Sequence, residues 1–121
     1  DGRVYRVDAQ GQATPLFDPE DKYIWSLATD AKGVLYAATG DKGHVYRIGP
    51  DGEGEIFFAT KATHAMTLRF EASGHLLVGT GNPGRVFRVD PAGKGFLALD
   101  IPYQEVRAIN VGANGLVYAA A

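Results

Sequence analysis

Short runs of alternating apolar and polar residues, broken every few positions by glycine and aspartate, extend along the whole chain. Alternation over a few residues marks a strand with one covered face, because successive side chains leave a strand on opposite sides. Clear runs are Ile24–Thr29, Val34–Thr39, His44–Ile48 and Glu55–Ala59. Between them lie Asp30-Ala31-Lys32-Gly33, Gly40-Asp41-Lys42-Gly43 and Pro50-Asp51-Gly52. Glycine accepts positive φ and aspartate hydrogen-bonds the turn backbone, so these segments predict tight reversals between antiparallel strands. No longer window carries apolar positions at helical spacing.

The pattern repeats. Gly2-Arg3-Val4-Tyr5-Arg6-Val7-Asp8 recurs as Gly43-His44-Val45-Tyr46-Arg47-Ile48-Gly49 and as Gly84-Arg85-Val86-Phe87-Arg88-Val89-Asp90, at an offset of 41 residues each time. The stretch from Leu27 to Gly40 recurs from Leu68 and from Ile109 at the same offset. Four antiparallel strands in a repeat of about 40 residues are the signature of a β-propeller blade. A β-sandwich needs no fixed four-strand period, and a parallel β-helix has shorter coils and fewer hairpins. The fold expected is therefore all-β, a β-propeller segment of three four-stranded blade repeats.

The phase of the repeat says more than its existence. With strands labelled A to D from the axis outward, residues 1–18 are a C–D half blade. Residues 24–59 and 65–99 are whole blades, and 106–121 are an A–B half blade. One blade is thus split between the termini, with the break in its B–C turn. Each half should present an unpaired edge and an uncovered apolar face. The expectation is that Arg3, Val4, Tyr5, Arg6 and Val7 of one copy pair with Leu116, Val117, Tyr118, Ala119 and Ala120 of another. Head-to-tail pairing closes a ring. A homodimer of six blades is favoured over a homotrimer of nine, and a segment of one longer polypeptide is the remaining alternative.

Composition narrows the partners. Hydrophobic residues make up 45% and charged residues 21%, as in ordinary globular chains. The net charge is −2 with Lys and Arg scattered, so no nucleic-acid footprint is expected. The apolar runs are strand-sized, so no membrane span is expected either. There is no cysteine, which removes disulfide and thiolate chemistry. The first residue is Asp1 and no signal peptide is legible. The compartment stays open, and a secreted or periplasmic parent is compatible with the sequence.

Ligands of propellers gather at the channel mouth, so interest falls on inner-strand positions that diverge while the framework repeats. One equivalent set is Tyr23, His64 and Glu105, the next is Trp25, Met66 and Arg107, and the next is Ala28, Arg69 and Asn110. The ligand-binding candidates are Tyr23, Trp25, His64, Met66, Arg69, Glu105, Arg107 and Asn110. Four of them have a plainer reading. Trp25 and Met66 fill space between blades, His64 is a solvated loop histidine, and Arg69 pairs with Glu71. No catalytic residue, metal or cofactor is expected. His44, His64 and His75 have no partner at ligand spacing, and Ser26 and Ser73 lie in no nucleophile motif. Arg6, Arg47 and Arg88 recur in every blade, which predicts a structural bond to a carboxylate or carbonyl. Tyr5, Tyr46 and Phe87, with Tyr36, Leu77 and Tyr118, predict inter-blade core.

The stretch Leu27-Ala28-Thr29-Asp30-Ala31-Lys32-Gly33-Val34-Leu35-Tyr36-Ala37-Ala38-Thr39-Gly40, followed by Gly43-His44-Val45-Tyr46-Arg47-Ile48, resembles the NHL-type, SMP-30/gluconolactonase-like and two-component-regulator propellers. The Trp-Asp dipeptide of WD40 blades, the sialidase Asp-box and the paired glycines of kelch blades are absent. The resemblance implies a propeller. Its lactonase branch also implies a metal held by acidic and Asn residues at the mouth, a set with no match here, so no catalytic residue is carried over. The function expected is a non-enzymatic scaffold or ligand/protein-binding module. The alternative is a channel-mouth lactonase or lyase.

Overall fold

A computed structural model describes all 121 residues, and every regular element in it is a strand. In chain order these are β1 (Val4–Val7), β2 (Ala13–Phe17), β3 (Tyr23–Thr29), β4 (Leu35–Gly40), β5 (His44–Ile48) and β6 (Gly54–Ala59). Then come β7 (His64–Phe70), β8 (Leu76–Gly81), β9 (Arg85–Val89), β10 (Gly95–Asp100), β11 (Ala108–Val111) and β12 (Val117–Ala120). No helix is long and apolar enough to cross a membrane.

Each strand pairs antiparallel with the next along the chain, in β1–β2, β3–β4–β5–β6, β7–β8–β9–β10 and β11–β12. These are the half blade, two whole blades and second half blade of a propeller segment. Neighbouring blades touch through their inner strands, where Gly40 bridges His64 and Gly81 bridges Glu105. Aspartates close three of the turns. Asp30 Oδ1 accepts from the Lys32 and Val34 amides, and Asp8 and Asp90 do the same two and four residues on.

The period of two fixes which blade each side chain meets. On β4, Leu35 and Ala37 face the N-terminal half blade, and Tyr36 and Ala38 face the next whole blade. Three apolar layers result. Val4 and Phe17 meet Ala37 and Ile48 in the first. Tyr36, Ala38 and Val45 meet Ala65, Leu68, Leu76, Val78 and Val89 in the second. Leu77 and Val86 meet Val106 and Ile109 in the third. Rings reinforce them, with Tyr36 edge-on to Phe57 and Phe70 at 5.1 Å each.

Tyr46, Phe87, Tyr36 and Leu77 take the inter-blade places the repeat predicts. Their equivalents on the half blades do not. Tyr5 is 52% exposed and Tyr118 is 57% exposed, because each lies on a half blade at one end of the segment, with no blade packed over that face. Val7 and Leu116 are bare for the same reason. The Val4 side chain is buried against the neighbouring whole blade. Only the backbone edge of that residue is open to a partner strand.

Candidate functional site

Strands β3, β7 and β11 lie side by side as the innermost strands, and their starts carry the divergent residues. The sequence did not reveal how those side chains are aimed. The β3–β4 ladder slips between Ile24 and Ser26, and the β7–β8 ladder slips between Ala65 and Thr67. Trp25 and Met66 are therefore the extra residues of two equivalent bulges, and a bulge turns its side chain off the strand's regular alternation. Alternation alone places Trp25 inside a blade junction. The bulge instead sets it across the junction, with 45% of its surface exposed.

There it joins two other candidates. The Trp25 indole N–H donates to His64 Nδ1 at 3.2 Å, and the two rings stand edge to face with centroids 5.5 Å apart. Tyr23 lies 5.3 Å from Trp25 and 6.3 Å from His64. The Asp41 amide also donates to His64 Nδ1, at 3.4 Å. With Nδ1 accepting, neutral His64 carries its proton on Nε2. Gly40 makes the approach possible, since a Cβ there would overlap both the Trp25 and His64 rings. His64 is thus an ordered member of an aromatic corner rather than a free loop histidine.

The next junction repeats the arrangement with other chemistry. Met66 and Glu105 flank Gly81 as Trp25 and His64 flank Gly40. Glu105 pairs with Arg107 at 2.6 Å. Arg69 donates to Asn110 Oδ1 at 3.1 Å. The expected Arg69–Glu71 pair does not form, because Arg69 points across to β11 while Glu71, beyond the end of β7, receives Arg88 at 2.7 and 3.0 Å. The eight candidates therefore form an aromatic corner, a Met66–Glu105–Arg107 group and an Arg69–Asn110 rung. No three His, Cys, Asp or Glu side chains converge as a metal-holding group.

Two of the recurring arginines bind carboxylates, but not equivalent ones. Arg47 donates from Nε to Glu55 at 2.9 Å, and Arg88 binds Glu71. Each guanidinium is held above its ordinary pKa, chiefly by the hydrogen bond to its carboxylate. The Arg47–Glu55 pair is exposed and contributes little to stability, whereas Glu71 is only 15% exposed in its pair with Arg88.

One polar cluster lay outside the sequence reading. Asp21, in the loop from β2 to β3, is buried, with its side chain fully enclosed. Its Oδ2 accepts from Thr39 Oγ1 at 2.5 Å and lies 3.1 Å from His44 Nδ1, tying the loop to β4 and β5. Oδ1 has no partner. Burial, with Asp21 close by, pushes the Tyr46 phenol up to about 12. The repeat held a signal, since Asp21 stands where Ala62 and Tyr103 stand in the other copies. Asp21→Ala leaves His44 Nδ1 without this partner and Thr39 Oγ1 with only the His44 carbonyl, 2.9 Å away, as acceptor. It is expected to cost about 1–3 kcal/mol, measured as a lower urea midpoint at unchanged slope.

A broad cavity lies away from the starts of the inner strands. It is an open hollow of about 1460 Å³ between β1 and the first whole blade, lined by Val4, Tyr5, Arg6, Leu27, Leu35 and Tyr36 among others. A second hollow, of about 460 Å³, borders the same strand beside Ile24 and Trp25.

No protein-family model matches the chain, and no curated protein sequence matches it. Solved structures do. A structural-genomics protein assigned as a gluconolactonase aligns with a TM-score of 0.80 at 17% identity over 97% of this chain and 47% of its own. Virginiamycin B lyase from Staphylococcus aureus aligns at 0.83 and 12% identity over 97% of this chain and 41% of its own. The calcium-binding protein regucalcin from Agrobacterium tumefaciens aligns at 0.72 and 19% identity over 88% and 39%. The chain thus spans less than half the length of each. At such identities the likeness concerns the fold, and these neighbours are β-propeller proteins of the group that the sequence resembles.

Proposed function

We propose that this chain is a non-enzymatic propeller module that completes itself head to tail, β12 of one copy pairing with β1 of the next, to form a ring with a binding mouth. The observation that carries this reading is the register of the two complete B–C ladders. Leu35 faces Ile48 and Ala37 faces Tyr46 in one, and Leu76 faces Val89 and Val78 faces Phe87 in the other. The same offset sets Val117 against Val7 and Ala119 against Tyr5, with no residue left over. The hollow beside β1 has room for the incoming strands. Coverages of 47% and 41% of the neighbours by 97% of this chain make them about 2.1 (0.97/0.47) and 2.4 (0.97/0.41) chain lengths, a size that favours two chains over three.

In that ring the corner of Tyr23, Trp25 and His64 is the best-ordered binding feature. It offers aromatic rings for stacking, with Nδ1 of His64 already engaged by Trp25 and the Asp41 amide. The coverage also accommodates a second reading, in which the remaining blades belong to one longer polypeptide. The neighbours' lyase and lactonase names keep an enzymatic alternative in view for the mouth, where Glu105 is engaged by Arg107.

The register has a direct test. Facing residues of an antiparallel pair lie about 4.5–5.5 Å apart at Cα, which a disulfide spans. The chain has no native cysteine. Val7→Cys with Val117→Cys should oxidise to a covalent dimer, whereas Val7→Cys with Tyr118→Cys, one residue out of register, should not. Equal cross-linking of both variants would defeat the register.

A further inference from the structure

We infer that the outer seam between two copies is closed by Leu99 of one copy packing on Ala13 and Tyr5 of the next, a contact whose two sides are matched in size within this one sequence. The inference rests on the head-to-tail reading and names its partner as a second copy of this chain.

The outer strands of neighbouring blades meet large on small. Phe17 on β2 covers Gly54 on β6, and Phe58 on β6 covers Gly95 on β10. At both places a Cβ on the glycine would overlap the ring. Each phenylalanine also meets the aromatic residue on the neighbouring C strand. Phe17 lies 5.2 Å from Tyr46, and Phe58 lies 5.2 Å from Phe87. Two seams within the chain are thus built from one three-residue unit.

Moving along by the 41-residue period gives the third seam, which the single chain leaves open. Its ring position is Leu99, its glycine position is Ala13 and its aromatic is Tyr5. Both packing partners have changed together. The large residue has shrunk from Phe to Leu, and the small one has grown from Gly to Ala. A Phe here would collide with the Ala13 methyl, and a Gly at 13 would leave a gap beside Leu99. Nothing within the single chain accounts for the match. Leu99 is 44% exposed on β10, Ala13 is exposed on β2, and Tyr5 is 52% exposed on β1. The match is accounted for when the forward face of β10 meets the backward face of β1–β2 from another copy.

The test is a compensating pair. Because both sites are exposed in the single chain, Leu99→Phe and Ala13→Gly should leave its circular dichroism unchanged. Sedimentation equilibrium of Leu99→Phe should show a dimer dissociation constant raised at least tenfold, the scale of overpacking one methyl against a ring. Leu99→Phe with Ala13→Gly should recover most of that loss, since it recreates the Phe17–Gly54 contact. Ala13→Val should weaken the dimer from the other side. A wild-type chain that is monomeric overturns the head-to-tail reading and this contact with it. A wild-type dimer that tolerates Leu99→Phe, or that Ala13→Gly fails to rescue, overturns this contact alone.

Discussion

A Tyr118→Asp chain is expected to remain folded and to lose assembly. In the single chain Tyr118 is 57% exposed, so the aspartate meets water. In the ring it would take the place that Tyr36 and Leu77 hold in the other blades, where exposure is 5% and 1%. An unpaired carboxylate at such a position costs several kcal/mol, and each 1.4 kcal/mol is about tenfold in affinity. The dissociation constant should therefore rise at least about a thousandfold by the same conversion. Tyr118→Leu gives the position the residue that serves at Leu77, and it should assemble. Sedimentation of the two variants at matched concentration separates loss of the face from loss of the fold. An aspartate variant that assembles like wild type would refute the buried role of Tyr118.

The second large effect is on the fold itself. Leu76 is 1% exposed in the layer between the two whole blades, together with Ala65, Val78 and Val89. Leu76→Ala removes buried methyls and leaves a cavity, which costs about 2–5 kcal/mol. Domains of this size are stable by about 5–15 kcal/mol in total, so the urea midpoint should fall steeply or the cooperative transition should disappear. Leu97→Ala, on the outer strand β10 and 53% exposed, is the control. Surface changes of that kind stay within about 0.5 kcal/mol. Equal losses at both positions would contradict the assignment of the core to the layers between blades.

The fold was legible because one rule generates it. The 41-residue period gives blade number and strand order, and alternation gives the face of each framework residue. Tyr36 and Leu77 could be placed in the core from those two facts alone. The site was less legible. Trp25 leaves the alternation at a bulge, and a bulge depends on backbone pairing that no residue type announces. Arg69 was assigned to its sequence neighbour Glu71 when its partner, Asn110, sits on the adjacent inner strand. Asp21 broke the repeat openly, yet its meaning depends on Thr39 and His44, which a hairpin brings to it. Divergence within a repeat marks such positions, and only the packed blades reveal their partners.

The central claim is that the open faces of this chain fit one another. Light scattering of the purified chain, with circular dichroism at the same concentration, tests it most directly. The account predicts a folded species at twice the 12.9 kDa chain mass. A folded species at three times that mass would keep the head-to-tail seam and overturn the count of six blades. A folded monomer, with β1 and β12 both stable and unpaired, would contradict the account.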